Sequence, residues 1–339
     1  MKTRVLITLV VIALLGCNKE NVSPQFEIVS NPAFETLFLT SELPDDVGEN
    51  SSGILFQDPR DAMGLDDGSM LINIGGRVYK YSNGIFIEKI ANNAQHIAKT
   101  SDGNIYILGR DALYTSTDGG ESFTIQEKII SNLGTDYALD VYYNGAPNRI
   151  VVQKITGGEY IMWLTREYEY HLGGTGFTQT QYINYAFTST NGINWTFKEN
   201  EGFKFTGYVI GIQEDGTSLF VEINLGDGIN FNPNPYTLHG SKDLGKTDEI
   251  LIEAKPNLPN VLSPTNKIFA INSISHNDRF ESGFSQWNES SWVNLNPTID
   301  EKAQNTNNNQ LNVLRVNFTV DGRMILVNSV GIYISNKSF

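Results

Sequence analysis

The stretch Ser116-Thr117-Asp118-Gly119-Gly120-Glu121-Ser122-Phe123 combines a short polar side chain, an acidic residue, two glycines and a final aromatic. An Asp side chain can accept hydrogen bonds from backbone N–H groups a few residues on, and Gly supplies the positive φ that reverses the chain. The terminal aromatic can then pack back under the turn. The segment therefore predicts a hairpin turn that stabilises its own shape.

The same spacing recurs twice, in Ser189–Trp195 with Asn in place of Asp, and in Ser241–Asp248 without the aromatic. Repetition of a local motif is evidence about architecture before it is evidence about chemistry. The residues expected to form the three turns are Ser116, Asp118, Gly120 and Phe123, then Ser189, Asn191, Gly192 and Trp195, then Ser241, Asp243 and Gly245.

These three segments resemble the Asp-box, or BNR repeat, of sialidases, sortilin-like receptors and many bacterial lipoproteins of the Bacteroidetes type. In that family the box joins the third and fourth strands of a propeller blade and lies away from the active face. The resemblance therefore implies a β-propeller and assigns the boxes a structural role. It does not identify an active site.

A second repeated element supports this interpretation, because an Asp-Gly turn followed by an apolar strand begins at Asp67, Asp102, Asp215 and Asp321. The last aromatic of each copy, or its substitute, falls at Phe86, Phe123, Trp195, Asp248, Trp292 and Phe339. Propeller blades take about 40 to 50 residues each, so the 72 residues from Phe123 to Trp195 are one blade with an insertion or two blades. We expect an all-β propeller of about six four-stranded blades, with seven as the alternative. A β-sandwich would not repeat its sequence in this way.

The last predicted blade lacks an outer strand, because the chain stops at Phe339. An unpaired sheet edge is a liability, so an N-terminal strand is expected to fill the place. Phe34–Thr40 is the candidate closing strand. The alternative is a last blade that is simply short.

The N-terminus resembles a bacterial lipoprotein signal. Lys2 and Arg4 precede the apolar run Val5–Leu15, which is too short to span a membrane, and Leu14-Leu15-Gly16-Cys17 matches the lipobox. Cys17 is the single cysteine, so the mature chain can form no internal disulfide. We expect a signal peptide at 1–16, a lipidated tether at 17–26 and one propeller domain at 27–339. The resemblance implies an anchor in the bacterial outer membrane, with the domain periplasmic or exposed at the surface.

Charge and composition narrow the partners. The chain carries a formal net charge of −14 and shows no basic patch, which argues against nucleic acid. The membrane, through the N-terminal lipid, and a glycan or protein ligand are the expected partners. The four histidines are scattered, so neither a metal site nor a cofactor is expected.

The insertion between Phe123 and Trp195 is the predicted place for ligand contacts, because loops at one face of a propeller converge on the central opening. The alternative is a long hairpin with alternating faces. The candidate ligand-loop residues are Trp163, Arg166, Tyr168, Tyr170 and His171.

Catalysis is left open at this point, with no catalytic residue assigned. Sialidases hold the substrate carboxylate with three arginines and use a Tyr nucleophile assisted by Glu, whereas the early Arg-Ile-Pro motif of that family is absent here. The nearest segment, Asp58-Pro59-Arg60-Asp61, lacks its order. A noncatalytic membrane-anchored binding protein is therefore the favoured interpretation, and a sialidase-like glycoside hydrolase is the alternative.

Overall fold

The computed structural model describes residues 32–48, 57–90, 93–131, 133, 148–171, 178–198, 207–224, 232–255, 257–271, 273–275, 283–295, 297–299 and 310–339. The predicted signal peptide, Cys17 and the tether lie outside these residues. So does the glycine-rich stretch of the insertion, residues 172–177.

The described chain forms six sheets of four or five strands, one for each blade, and one separate two-stranded sheet. Within a blade, successive strands pair antiparallel. Blade 1 contains β2 (Pro59–Gly64), β3 (Met70–Ile74), β4 (Arg77–Ser82) and β5 (Ile85–Ile90). Blade 2 contains β6 (Ala94–Lys99), β7 (Ile105–Gly109), β8 (Leu113–Ser116) and β9 (Thr124–Gln126), which a short helix α1 (Glu127–Ser131) follows. Blade 3 contains β10 (Arg149–Lys154), β11 (Tyr160–His171), β12 (Thr178–Ser189) and β13 (Thr196–Lys198).

The second half of the ring repeats the pattern. Blade 4 contains β14 (Tyr208–Ile212), β15 (Ser218–Ile223), β16 (Tyr236–Ser241) and β17 (Glu249–Lys255). Blade 5 contains β18 (Val261–Leu262), β19 (Ile268–Ile271), β21 (Phe284–Trp287) and β22 (Trp292–Asn294), and β20 (Ser273–Ser275) pairs separately with β24 (Gln310–Asn312). Blade 6 contains β25 (Arg315–Phe318), β26 (Arg323–Val327) and β27 (Gly331–Ser338).

An N-terminal strand closes blade 6, as the sequence predicted. The strand β1 (Ala33–Leu39) pairs antiparallel with β27 in the register Phe34↔Ser335 to Leu39↔Gly331, and β23 (Thr298–Ile299) adds a parallel edge to it. A 3-10 turn, Thr40–Glu42, ends β1. The two ends of the described chain are thus held in one sheet, and the molecule is a six-bladed β-propeller.

Six clusters of buried hydrophobic side chains lie between the blades, one at each blade interface. The interface of blades 5 and 6 is the most aromatic, with Phe269 and Phe339 packed edge to face at a centroid distance of 5.4 Å. Side chains alternate along a strand, so each strand can contribute to the clusters on both sides of its blade. The ring is therefore closed by apolar burial at every junction.

Six equivalent turns join the first strand of each blade to the second. In each, the first residue donates to the carbonyl of the fifth, and the fourth residue donates back to the first, as in Leu65–Ser69 and Thr319–Arg323. The fourth position always has a positive φ and is Gly68, Gly103, Gly158, Gly216, Asn266 or Gly322. Two of these turns, at Gly158 and Asn266, have no Asp-Gly pair and were not expected from the sequence.

The three repeated Ser-containing segments each join the third strand of a blade to the fourth. In blade 2, the Asp118 carboxylate accepts hydrogen bonds from the backbone N–H of Glu121 and Ser122 at 3.1 and 3.0 Å, while the Gly120 N–H donates to Ser116 Oγ at 2.9 Å. The hydroxyl and backbone N–H of Ser122 hold the pKa of Asp118 well below its ordinary value.

Asn191 and Asp243 repeat this arrangement in blades 3 and 4. Asn191 Oδ1 accepts from the N–H of Ile193 and Asn194, and Asp243 accepts from Thr247. These side chains bond the backbone within the turn, so the turns are held locally. We call the segments Ser116–Phe123, Ser189–Trp195 and Ser241–Asp248 the stapled turns.

The direction of the strands sorts the connections onto two faces. Turns from first to second strand and from third to fourth strand lie on one face, the turn face. Turns from second to third strand and the links between blades lie on the other, the mouth face. Antiparallel pairing within every blade requires this division.

The insertion belongs to blade 3 alone. Strands β11 and β12 pair without interruption from Tyr160↔Ser189 to His171↔Thr178. The innermost strand β10 pairs with β11 only as far as Thr165, so the rest of β11 extends past the blade. The excess forms a hairpin that rises from the mouth face, as the alternative interpretation of the sequence had it. The 72-residue interval is one blade, and six blades is the correct count.

Candidate functional site

A channel runs along the ring axis between the first strands of the blades. It contains a cavity of about 510 Å³, lined by segments of β2, β6, β10, β14, β18 and β25. At the turn face the cavity reaches residues of the first turns, such as Asp66, Glu214 and Val320. Central channels and the mouths of closed β-structures are common ligand sites.

A second cavity of about 320 Å³ opens at the mouth face. It is lined by Arg60, Gln95, Asn148, Leu314 and Arg315, all at or next to the start of a first strand. Arg315 and Arg149 also line the channel cavity. We call Arg60, Gln95, Asn148, Arg149 and Arg315 the arginine mouth.

Arg315 reaches across the channel. Its Nη2 lies 3.4 Å from the carbonyl oxygen of Asn148, and blade 3, which carries Asn148, stands opposite blade 6 in the ring of six. Its Nη1 lies 3.3 Å from the carbonyl of Leu314, and its Nε is buried with no hydrogen-bond partner. Burial and the nearby positive charge of Arg149 lower the pKa of Arg315. This guanidinium therefore lies between the two cavities with unused donor capacity.

Arg149 lies over an aromatic ring. Its guanidinium carbon is 4.0 Å from the centroid of Tyr208, a geometry typical of a cation–π contact. Tyr208 in turn packs against Tyr182 at a centroid distance of 5.2 Å. Within the part of the chain that the structure describes, no carboxylate oxygen lies within 4.0 Å of a side-chain nitrogen of Arg149 or Arg315.

Asp61 is completely buried beneath the mouth and joins three blades. Its carboxylate accepts hydrogen bonds from Ile97 N of blade 2 at 2.6 Å, from Asn317 Nδ2 of blade 6 at 2.7 Å and from Ala62 N at 2.9 Å. Burial raises the pKa of Asp61 to about 7, although these donors and the charge of Arg315 oppose the rise. Near neutral pH, Asp61 is therefore only partly ionised and compensates only part of the positive charge of Arg315.

His96 is held next to Asp61 in a defined tautomer. Its Nδ1 accepts a hydrogen bond from Ile150 N of blade 3 at 2.9 Å, so the proton of the neutral ring is on Nε2, which lies 3.6 Å from Asp61 Oδ2. Burial, together with the charges of Arg315 and Arg149, lowers the pKa of His96 well below its ordinary value. His96 is therefore neutral at physiological pH and adds no charge to the site.

The predicted ligand-loop residues separate into three groups. Trp163 is completely buried, donates from Nε1 to Ser218 Oγ at 3.0 Å and packs on Phe220, so it belongs to the core between blades 3 and 4. It is not exposed to a ligand, which corrects its assignment as a ligand-loop residue. Arg166 is half-buried near the mouth, with its guanidinium 5.6 Å from the centroid of Tyr185. Tyr168, Tyr170 and His171 lie on the rising part of β11, and their side chains are outside the described residues.

The hairpin and the mouth share one face and are in contact. Asn148 Nδ2 donates to Glu167 Oε2 of the hairpin at 3.1 Å, and Asn148 itself adjoins the start of β10. The insertion thus stands beside the arginine mouth, although the mouth residues come from other blades as well.

The sequence did not identify the mouth residues as a group. Arg60, Arg149 and Arg315 are separated by up to 255 positions in the chain, yet each occupies the first or second residue of the first strand in its blade. An alignment of the blades on their first strands would have placed them in one register.

Within the described residues, no group of three His, Cys, Asp or Glu side chains is placed to hold a metal ion, and no helix is long and apolar enough to cross a membrane.

Comparison with known proteins yields structural similarity only. No family model matches the sequence, and no curated protein matches it. Among solved structures, a gluconolactonase from Xanthomonas campestris is similar at 9% identity and a TM-score of 0.47, covering 91% of this chain and 95% of that one. Virginiamycin B lyase from Staphylococcus aureus is similar at 10% identity and a TM-score of 0.44, covering 90% and 99%.

The extracellular domain of a protein described as a hybrid two-component system of B. thetaiotaomicron is also similar. Identity is 11% and the TM-score 0.46, over 90% of this chain but only 40% of that one. These proteins include enzymes and an extracellular domain without a stated reaction. Since one fold hosts many functions, the activity must be sought in the residues of the site.

Proposed function

We propose that this protein is a lipid-anchored, extracytoplasmic β-propeller that binds a glycan or a protein at its arginine mouth without catalysis. The observation that carries the proposal is the convergence of Arg149 and Arg315 on one end of the channel, where neither has a carboxylate partner among the described residues. A cavity with a few convergent polar groups is the usual form of a binding site.

The strand order supports a mouth face that points away from the membrane. The strand β1 begins at Ala33 on the turn face, because it runs antiparallel to β27, which ends on that face. The chain that leads from Cys17 therefore joins the propeller on the face opposite the mouth. A lipid on Cys17 would leave the mouth directed away from the anchor. The stapled turns, which we propose to be Asp-boxes, would then lie on the anchored side.

The anchor is tested by metabolic labelling. Cells expressing the full chain with an alkyne-bearing fatty acid should incorporate the label, and Cys17→Ser should abolish incorporation, since the thiol is the acceptor. Labelling that persists in Cys17→Ser would contradict the anchor. Protease accessibility in intact cells would then distinguish a surface position from a periplasmic one.

Binding at the mouth is tested by a steric block that leaves the charges unchanged. The chain from residue 27 onward contains all six blade interfaces and can be applied to glycan arrays and to labelled extracellular proteins. Gln95 is half-buried and lines the mouth, so Gln95→Trp should fill it and abolish binding of any ligand found. Ile125→Trp, on the exposed outer strand of blade 2, is the matched control and should bind normally. Binding that survives Gln95→Trp would refute the mouth as the site.

A sialidase-like glycoside hydrolase is the second candidate, because Arg60, Arg149 and Arg315 lie at one end of the channel as a carboxylate-binding set would. The tyrosines at the site argue against it. Burial raises the pKa of both Tyr208 and Tyr182, whereas a nucleophilic phenol has to be activated by a neighbouring base or a lowered pKa. Release of a fluorogenic aglycone from a sialoside would support the hydrolase. Intact substrate, with measurable binding, would support the binding protein.

A further inference from the structure

The charge balance at the mouth points to the chemistry of the ligand. The chain carries a net charge of −14, yet two guanidinium groups line one cavity. An uncompensated charge in a desolvated place is costly and is ordinarily paired. The pairs elsewhere illustrate the rule, since Lys80 contacts Asp67 at 2.8 Å and Glu121 at 2.5 Å.

Two observations show that the described residues leave the Arg315 guanidinium incompletely satisfied. The Nε–H of Arg315 is buried and has no acceptor, and its other nitrogens reach only carbonyl oxygens, at 3.3 and 3.4 Å. Two carboxylates attract Arg315 through their charge, and both are already engaged. Asp61 accepts from Ala62, Ile97 and Asn317, and Glu167 accepts from the amide of Asn148. Arg315, which lines both cavities, therefore keeps donor capacity that the described residues do not use.

We infer that the arginine mouth recognises the carboxylate of an acidic saccharide. This inference rests on the proposed function and names its ligand class. Guanidinium groups present fixed pairs of N–H donors that match the two oxygens of a carboxylate.

The neighbouring groups match the rest of a sugar. Gln95 and Asn148 carry amide groups next to Arg315, and amides both donate to and accept from hydroxyl groups. The Asn148 amide nitrogen is used by Glu167, which leaves its oxygen as an acceptor. The rings of Tyr208 and Tyr182 provide apolar surface beneath Arg149. A ligand with one carboxylate and several hydroxyls satisfies these groups together.

The test is calorimetric titration of the chain from residue 27 with a uronic-acid oligosaccharide and with its neutral counterpart. The acidic ligand should bind, and the neutral one should bind at least roughly tenfold more weakly, because it leaves the arginines unpaired. Arg315→Gln should weaken the acidic ligand by about tenfold to a hundredfold. Arg323→Gln, on the same blade but paired with Asp321 on the turn face, is the matched control and should change nothing.

Further variants keep the result interpretable. Arg315→Lys retains the charge but not the planar pair of donors, so an intermediate loss would support carboxylate recognition even if Arg315→Gln unfolds. Equal binding of the neutral sugar would overturn the inference while leaving the proposed function intact, provided that Gln95→Trp still abolishes binding. Displacement by inorganic phosphate or by an acidic peptide at the same concentration as the saccharide would also overturn it, by showing a general anion site or a protein ligand.

Discussion

The two faces of this propeller are built by different means. On the turn face, each stapled turn is stabilised by side chains within about eight residues of one another, as with Ser116, Asp118 and Ser122. On the mouth face, the important groups come from distant parts of the chain, and Arg315 meets Asn148 across 167 positions. Because the turn face is built from local hydrogen bonds, its turns can be predicted from the sequence. The contacts of the mouth face form only when the ring closes and brings distant residues together.

The faces also differ in the state of their carboxylates. Asp118 is exposed and held in its charged form by neighbouring donors, whereas Asp61 is buried and its neutral form is favoured. The turn face therefore uses acidic residues as local structural supports. Around Arg315, the buried acid Asp61 instead has its neutral form favoured by burial.

The largest expected effect concerns Trp163, which joins blades 3 and 4. Trp163→Ala should lower the free energy of unfolding by about 3–5 kcal/mol, because it removes a completely buried ring and its hydrogen bond to Ser218. Chemical denaturation measures this directly. A loss below about 1 kcal/mol, with impaired ligand binding, would restore Trp163 to the ligand site.

The next prediction is a pH dependence of stability that originates at Asp61. Its folded pKa of about 7 is above the ordinary value of 3.8, so the folded chain binds more protons than the unfolded chain between these values. The contribution of Asp61 to stability must fall as pH rises from about 4 to about 7, by at most about 1.4 kcal/mol per pH unit.

Asp61→Asn should remove this part of the slope in denaturation curves recorded from about pH 2 to 8. Asp118→Asn is the comparison. Its depressed pKa means that the stability contributed by Asp118 is present above pH 3.8 and is lost as pH falls below it. The two variants should therefore alter opposite ends of the pH profile. An unchanged slope in Asp61→Asn would refute the assignment.

A smaller effect is expected from a single stapled turn. Asp118→Ala removes the acceptor for Glu121 N and Ser122 N and should lower the free energy of unfolding by about 1–2 kcal/mol, because the site is exposed and water replaces part of the loss. Ligand affinity should be unchanged. A change in affinity larger than the error of titration would show that the two faces are coupled.

The smallest effect is expected at Ser122, whose hydroxyl contacts Asp118 Oδ2 at 2.5 Å on the surface of the same turn. Ser122→Ala should lower the free energy of unfolding by about 0.5–1 kcal/mol, since the backbone N–H bonds to Asp118 remain. Thermal unfolding of both variants would order the contributions within the turn. A larger loss in Ser122→Ala than in Asp118→Ala would contradict Asp118 as the central acceptor.

The contrast explains what could be predicted from the sequence. The six blades, the closing strand at Phe34 and the positions of the stapled turns follow from local signals that repeat along the chain. The first turns at Gly158 and Asn266 were missed because neither has the Asp-Gly pair, although each reaches the same positive φ. At these two turns the backbone geometry repeats that of the other blades, although the residue types differ.

The site could not be predicted in the same way. The ligand residues were predicted in the insertion because it is rich in aromatic and charged residues. Trp163 lies in the core, because alternation along the strand points its side chain into the interface between blades 3 and 4. Arg149 and Arg315 sit in short strands with no motif around them. Their proximity is a product of ring closure, which no local window of sequence contains.

The division of labour between the two faces is tested most directly by comparing one variant from each face in two assays. Stability and affinity for a uronic-acid oligosaccharide are measured for Arg315→Gln and Asp118→Ala in the same buffer. Arg315→Gln should lose about tenfold or more in affinity and keep its stability, while Asp118→Ala should lose stability and keep its affinity. Loss of affinity in Asp118→Ala with none in Arg315→Gln would contradict the assignment of function to the mouth face.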